Sequence, residues 1–143
     1  DVAKQARQVF EGESGTARVW GTDVRVGAAQ AAMLNGVAAH ALELDDTGGC
    51  DHSGAVVLPA VMAAVSMSAR PVSGRELITA VVIGYDVGRR VLEACGGYSA
   101  HNGAGWHSTA TCGVFGAAAA SGLILGLNAG QMVAALGIAG SFS

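Results

Sequence analysis

The chain has 143 residues, enough for one domain with a core of its own. Charged residues make up 13%, against roughly 25% in an ordinary soluble domain, and a net charge of −3 excludes the basic face that nucleic acid needs. Hydrophobic residues reach 51% but aromatics only 5%, and 22 glycines among many alanines describe small-residue helices packed backbone-close, not a core of large side chains.

The charge is unevenly spread. Every Lys and Arg lies at or before Arg90, and no Asp or Glu follows Glu93. A solvated domain rarely leaves so long a stretch without a charged face. Burial against protein outside this chain accounts for it better than a membrane does. The run from Ala110 to Leu127 approaches the about 20 residues of a span and holds Gly122 and Gly126 in GxxxG spacing. Yet it has no flanking Lys or Arg and is interrupted by Thr111, Ser121 and several glycines. The start at Asp1 without Met, and the stop at Ser143 inside a helical pattern, read as part of a longer polypeptide. Cys50, Cys95 and Cys112 are odd in number and lack CxxC spacing, so they read as small buried hydrophobes in a reduced setting. With no basic-then-apolar leader, the expected location is cytoplasmic.

In chain order, residues 1–11 are polar with spaced apolar positions, the pattern of a surface helix. Gly12 to Gly27 sets glycines around TARVW and DVRV, a loop with a short hairpin. Ala28 to Leu44 is predicted as a helix rich in Ala, Leu and Met. At about 100° per residue it would bring Asn35, Glu43 and Asp46 within roughly 80° of one another, with His40 beside Glu43. Thr47 to Ser53 reads as a loop. Val56 to Ala69 is predicted as the next helix, with Pro59 in its first turn. Ser73 and Glu76 form a capping box that starts a long helix to about Cys95, in which Ala80, Gly84 and Gly88 recur every fourth residue as a close-approach stripe. Gly96 to Gly105 reads as a loop. Ser108 or Thr109 would cap a helix running to about Leu125. Asn128 with Gln131 is a second capping box, opening a last helix over Ala129 to about Ser141. The fold class is all-α, a small-residue-rich helical bundle.

Two segments carry functional groups. Between Asn35 and Pro59 stand His40, Glu43, Asp45, Asp46, Thr47, Asp51 and His52. Crowded carboxylates raise one another's pKa, so one of them could act as an acid or orient a histidine. Their spacing matches no HExxH or EF-hand pattern, and no metal is expected. Helix termination alone would also explain Asp45. His52, in a loop flanked by carboxylates, suits a general base or an anion contact. The second segment, Gly105 to Thr109, places His107, Ser108 and Thr109 at a helix start, where free N–H groups attract a carboxylate. His40 and His101 lean structural.

The stretches NGVAAHALELDDT, HSGAVVLPAVMA, GYDVGRR, GWHSTATCGVFGAAAASGLILGL and QMVAALGIAGS, in this order and spacing, resemble the MmgE/PrpD family from about Val26 to Ser143. Members include 2-methylcitrate dehydratase, cis-aconitate decarboxylase and iminodisuccinate epimerase. The resemblance implies a cofactor-free enzyme with a helical domain and a smaller α/β lid domain, usually homodimeric, of which this chain is the front part of the helical domain. It implies a lyase of the 2-methylcitrate dehydratase type, abstracting a proton α to a carboxylate of a small di- or tricarboxylate, with decarboxylation or epimerisation as alternatives. A non-catalytic fragment that binds another chain through its apolar half is the other reading. Carried over residue by residue, His52, His107 and Asp46 would be catalytic, with Glu43, Thr47, Ser108 and Thr109 holding substrate. The shorter loop between Thr47 and His52, Gly48 after the Thr, Ser53 after the His and Glu43 in place of Asp depart from the family pattern. The family's later Lys, His and Tyr would lie beyond Ser143.

Overall fold

The computed structural model describes Lys4, Gln8 and residues 14–143. Apart from those two positions, the surface helix predicted over residues 1–11 lies outside the described residues. The rest is nearly all-α. A hairpin of β1 (Ala17–Arg18) and β2 (Arg25–Val26) precedes seven described helices. These are α1 (Ala28–His40), α2 (Ser53–Met67), α3 (Gly74–Ala94), α4 (Gly97–Gly103), α5 (Ser108–Thr111), α6 (Gly113–Ile124) and α7 (Ala129–Ala139). None of them is long and apolar enough to cross a membrane.

The hairpin pairs antiparallel, Ala17 with Val26 and Arg18 with Arg25. It is pinned to α1 by Asn35, whose Oδ1 accepts from the Trp20 amide at 2.8 Å while its Nδ2 donates to the Arg18 carbonyl at 3.0 Å. Asn35 therefore does not share a stripe with Glu43 and Asp46. The reason is that α1 stops at His40, four residues before the predicted Leu44. Leu42 and Leu44 are exposed, so no burial draws the helix onward, and Glu43 turns the chain with φ +53°.

The central layer is α2 against α3 and α6, with α3 and α6 the most extensive helix pair and α1 packed on the far side of α2. Val57, Val61, Ala64, Ala80, Ala120 and Ile124 make up its core. The predicted stripe is real: Ala80, Gly84 and Gly88, and then Leu92, are the buried residues of α3. At Gly84 the approach to α6 is so close that a Cβ on Gly116 would run into the Gly84 carbonyl. Backbone contact of this kind needs residues without side chains, which accounts for the glycine-rich composition.

Both capping boxes form. Ser73 Oγ accepts from the Glu76 amide at 3.2 Å and Glu76 Oε2 accepts from the Ser73 amide at 2.8 Å; Asn128 and Gln131 do the same at 3.0 and 2.9 Å. Other boundaries differ from the sequence reading. Helix α2 begins at Ser53, not Val56, which puts Pro59 in its interior. Proline there leaves the Ala55 carbonyl without its helical donor. That carbonyl faces Gly36 of α1, where a Cβ would stand 2.8 Å away. Gly96 to Gly105 contains the short α4. The helix predicted from Ser108 is broken at Cys112 into α5 and α6, and its N-cap is His107, with no side-chain cap from Ser108 or Thr109. Cys50 and Cys112 are buried as expected; Cys95 is exposed.

Candidate active site

The early end of α1 creates the site. Residues 41–52 must return from the end of α1 to the start of α2, and they do so as a tight irregular loop with Glu43 at φ +53° and Asp51 at φ +89°. Left-handed backbone at non-glycine residues is strained, and it persists only where surrounding contacts fix it.

Two histidines meet across this loop. His40, the last residue of α1, and His52, the N-cap of α2, meet with ring centroids 4.3 Å apart and planes tilted by 55°. Two carboxylates clasp the pair from opposite edges. Asp45 lies 3.1 Å from His40 Nδ1 and 3.2 Å from His52 Nδ1. Glu43 lies 3.2 Å from His40 Nε2 and 3.7 Å from His52 Nε2. Asp51 adds a third carboxylate, 3.7 Å from His52 Nε2. The Asp45–His52 contact is close but off the hydrogen-bond line, so the buried His52 Nδ1 has no hydrogen-bond partner. Burial works to raise the Asp45 carboxyl. The His40 hydrogen bond, its own backbone amide and the charges of both imidazoles outweigh burial and hold it below its ordinary value. Asp45 is therefore an ionised carboxylate that hydrogen-bonds His40 and lies in charge contact with His52, a setting in which imidazole serves as proton acceptor or donor.

Asp46, although adjacent, faces the other way. Its Oδ1 accepts from the Gly54 amide at 2.8 Å, in the first turn of α2. His52 gives that helix no side-chain cap, so Asp46 caps it from outside, where a carboxylate also suits the helix dipole. A Cβ on Gly54 would stand 2.6 Å from Asp46 Oδ1 and 3.0 Å from the Tyr85 hydroxyl, so glycine is required there. Burial first, then contact with the Asp46 carboxylate, pushes the Tyr85 phenol above its ordinary value.

The two chemistry-bearing segments do meet, through Thr109. Its Oγ1 accepts from the His52 amide at 3.3 Å. Ser108 is buried with its Oγ unpartnered, whereas His107 is exposed. No side-chain contact joins His107 to the histidine pair among the described residues. Thr47 is exposed and lines a surface cavity with Gly49, Asp51, Arg89, Leu92, Glu93 and Tyr98. His101 is a structural pin, bonded through Nε2 to Thr111 Oγ1 at 2.7 Å. Cys50 Sγ lies 3.4 Å from Ser53 Oγ, and burial pushes its thiol up, as it does that of Cys112. Neither is poised as a nucleophile.

The structure brings Glu43 and His52 together in the loop and sets Thr109 against the His52 backbone. The sequence reading counted His40 and Asp45 in the same stretch but leaned to a structural role for His40 and offered helix termination for Asp45, so it did not pair either with His52. The available signal was His40 at the end of the Ala-rich helix, five residues before Asp45, which allows a histidine to bond forward over a turn.

The fold and the site together define a helical domain that carries a histidine–carboxylate cluster in the first loop of its core. The matching family model is the MmgE/PrpD N-terminal domain, over residues 1–143, and the chain belongs to that family. It is 39% identical to a cis-aconitate decarboxylase of Aspergillus terreus over 94% of its length and 28% of that protein. It is 38% identical to a cis-aconitate decarboxylase-like protein of Aspergillus oryzae (96% of this chain, 30% of the relative) and 32% identical to human cis-aconitate decarboxylase (96% and 29%). The chain thus spans less than a third of the length of these relatives.

Proposed function

We propose that this chain contributes one wall of the active site of a lyase that decarboxylates a small unsaturated tricarboxylate of the cis-aconitate type. The observation that carries this reading is the pair of histidines in contact with Asp45, in a chain whose relatives bear that activity in their names. It favours decarboxylation over the dehydration suggested by family resemblance alone. In such a reaction the bond to one carboxyl carbon breaks and carbon dioxide leaves. The electron pair stays on the substrate, spread into the neighbouring unsaturation and carboxylate, and a proton is delivered to carbon.

His52 is the residue best placed to carry that proton, since Asp45 sits on its Nδ1 edge and Nε2 looks toward Glu43 and Asp51. Positioned acid–base groups of this kind contribute about 10²–10⁴-fold. Thr109 fixes the His52 backbone, while Thr47, Ser108 and His107 supply further polar contacts for substrate carboxylates. The cationic groups that such a substrate also requires would come from the remainder of the polypeptide, together with a lid. No metal or cofactor enters this scheme.

Exposed Ile78, Val82, Val133, Ile138 and Phe142 support a complete protein in which this half is covered, as a homodimer through the helical domain. The free thiols support a reducing, cytoplasmic setting. The test is carbon dioxide release from cis-aconitate by the complete polypeptide, run beside 2-methylcitrate. Release from cis-aconitate is expected. Water loss from 2-methylcitrate without any carbon dioxide release would return the reading to a dehydratase.

A further inference from the structure

The same cluster has a property that proton transfer does not require. One ligand-capable atom from each of His40, Asp45 and His52 lies within 4.8 Å of the others. In a tetrahedral zinc site with bonds of about 2.0–2.1 Å, ligand atoms stand about 3.3 Å apart. The Asp45 carboxylate is already 3.1 Å from His40 Nδ1 and 3.2 Å from His52 Nδ1, so two of the three edges have that length. Only the separation between the two ring nitrogens has to close, by rotation of side chains whose rings are already in contact, 4.3 Å apart and tilted by 55°.

Three further observations point to a cation. His52 Nδ1 is buried without a hydrogen-bond partner, and in the Nε2–H tautomer it offers an ion an in-plane lone pair. Glu43, exposed and within 3.2 Å of His40 on the opposite edge of both rings, adds negative charge beside the site. The charge is also unbalanced. Glu43, Asp45 and Asp51 surround two imidazoles, while Arg18, Arg70, Arg89 and Arg90 are paired elsewhere, with Asp23, Glu76, Glu93 and Asp86. A dication meets that excess better than protonation of one ring.

We infer that His40, Asp45 and His52 form a binding site for a divalent transition-metal ion of the zinc type, with water completing the shell. Two imidazoles and a carboxylate suit Zn²⁺ and Co²⁺ and discriminate against Mg²⁺ and Ca²⁺, which prefer all-oxygen shells. A bound ion occupies the Nδ1 edge from which Asp45 serves His52 during proton transfer at Nε2, so the loaded site is blocked and the ion is an inhibitor. The inference does not rest on the lyase reading, because metal uptake is measured without turnover.

The experiment is a titration of the chelator-treated complete polypeptide with Co²⁺, followed by its absorption spectrum, then displacement by Zn²⁺. The expected result is one Co²⁺ per chain, released by Zn²⁺ and not by Mg²⁺, with affinity at least tenfold weaker in His40→Ala and in Asp45→Asn and unchanged in His101→Ala. A second measurement needs no variant. Zn²⁺ should protect His40 and His52 of the unmodified protein from diethyl pyrocarbonate, mapped by mass spectrometry, while His101 and His107 keep reacting. Full-strength binding in His40→Ala, or protection of His101 or His107 in place of the pair, would overturn the inference. So would the absence of saturable Co²⁺ binding below millimolar concentration. Carbon dioxide release by the metal-free protein stands or falls independently of these results.

Discussion

The seam between α3 and α6 and the loop between α1 and α2 both press on α2, yet they are made of opposite materials. The seam is Gly84, Gly88, Gly116 and Ala120, buried, apolar and close enough for backbones to touch. The loop is Glu43, Asp45, Asp46, Asp51 and two histidines, polar, partly open and strained at two residues. A side chain that is merely too large ruins the seam, whereas the loop is ruined only by removing a particular chemical group. The rigid seam lets the strained loop persist, since Ser53, Gly54 and Val57 of α2 tie one to the other.

Four substitutions or conditions probe that contrast. Gly116→Val pushes a branched side chain into the Gly84 carbonyl and should destabilise the fold by about 3 kcal/mol, the upper end for overpacking. Urea unfolding checks it, and an unchanged midpoint would mean the helices are not in backbone contact. Asp45→Asn leaves the seam intact but removes the charge that bonds His40 and faces His52. Turnover in the complete polypeptide should fall about a hundredfold, or ~2.7 kcal/mol, with little change in the midpoint. Asp46→Ala removes the outside cap of α2 and should cost about 1 kcal/mol of stability. The expectation fails if the midpoint falls no further than in an exposed control such as Ser99→Ala.

The smallest effect is on pH dependence. The Ser73 amide first, then the Ser73 hydroxyl and Arg70, hold Glu76 down to about 2 from an ordinary 4.5. A depressed carboxylate stabilises the fold fully above its unfolded value, and that contribution is lost as pH falls through the folded one. A modest decline between pH 4.5 and about 2 is therefore expected from this residue. Glu76→Gln should flatten that part of the curve; an identical slope in the variant would assign the decline to other groups.

The seam was far more legible in the sequence than the loop. Ala80, Gly84 and Gly88 announce a close-packed face by spacing alone, and the capping boxes at Ser73 and Asn128 are local patterns that need no tertiary knowledge. The end of α1 was not legible. Helix propensity favours continuing through Ala41 and Leu42, and only their exposure in the fold removes the reason to continue. Once that boundary moves, the stripe through Asn35, Glu43 and Asp46 dissolves and His40 joins the site. Pro59 was misplaced for a similar reason, because the carbonyl it frees faces Gly36, a contact no local pattern records. Family resemblance implied a catalytic role for Asp46; that its carboxylate turns from Asp45 to the Gly54 amide was not legible, because side-chain directions in an irregular loop cannot be read from adjacency.

The lyase reading of the loop depends on His52 as the proton carrier. Turnover of cis-aconitate by the complete polypeptide in D₂O, with wild type beside His52→Gln, measures that most directly. The account predicts one solvent deuterium in the decarboxylated product of the wild type, and a rate at least a hundredfold lower in His52→Gln at an unchanged unfolding midpoint. A His52→Gln protein that turns over and incorporates deuterium at the wild-type rate would contradict it.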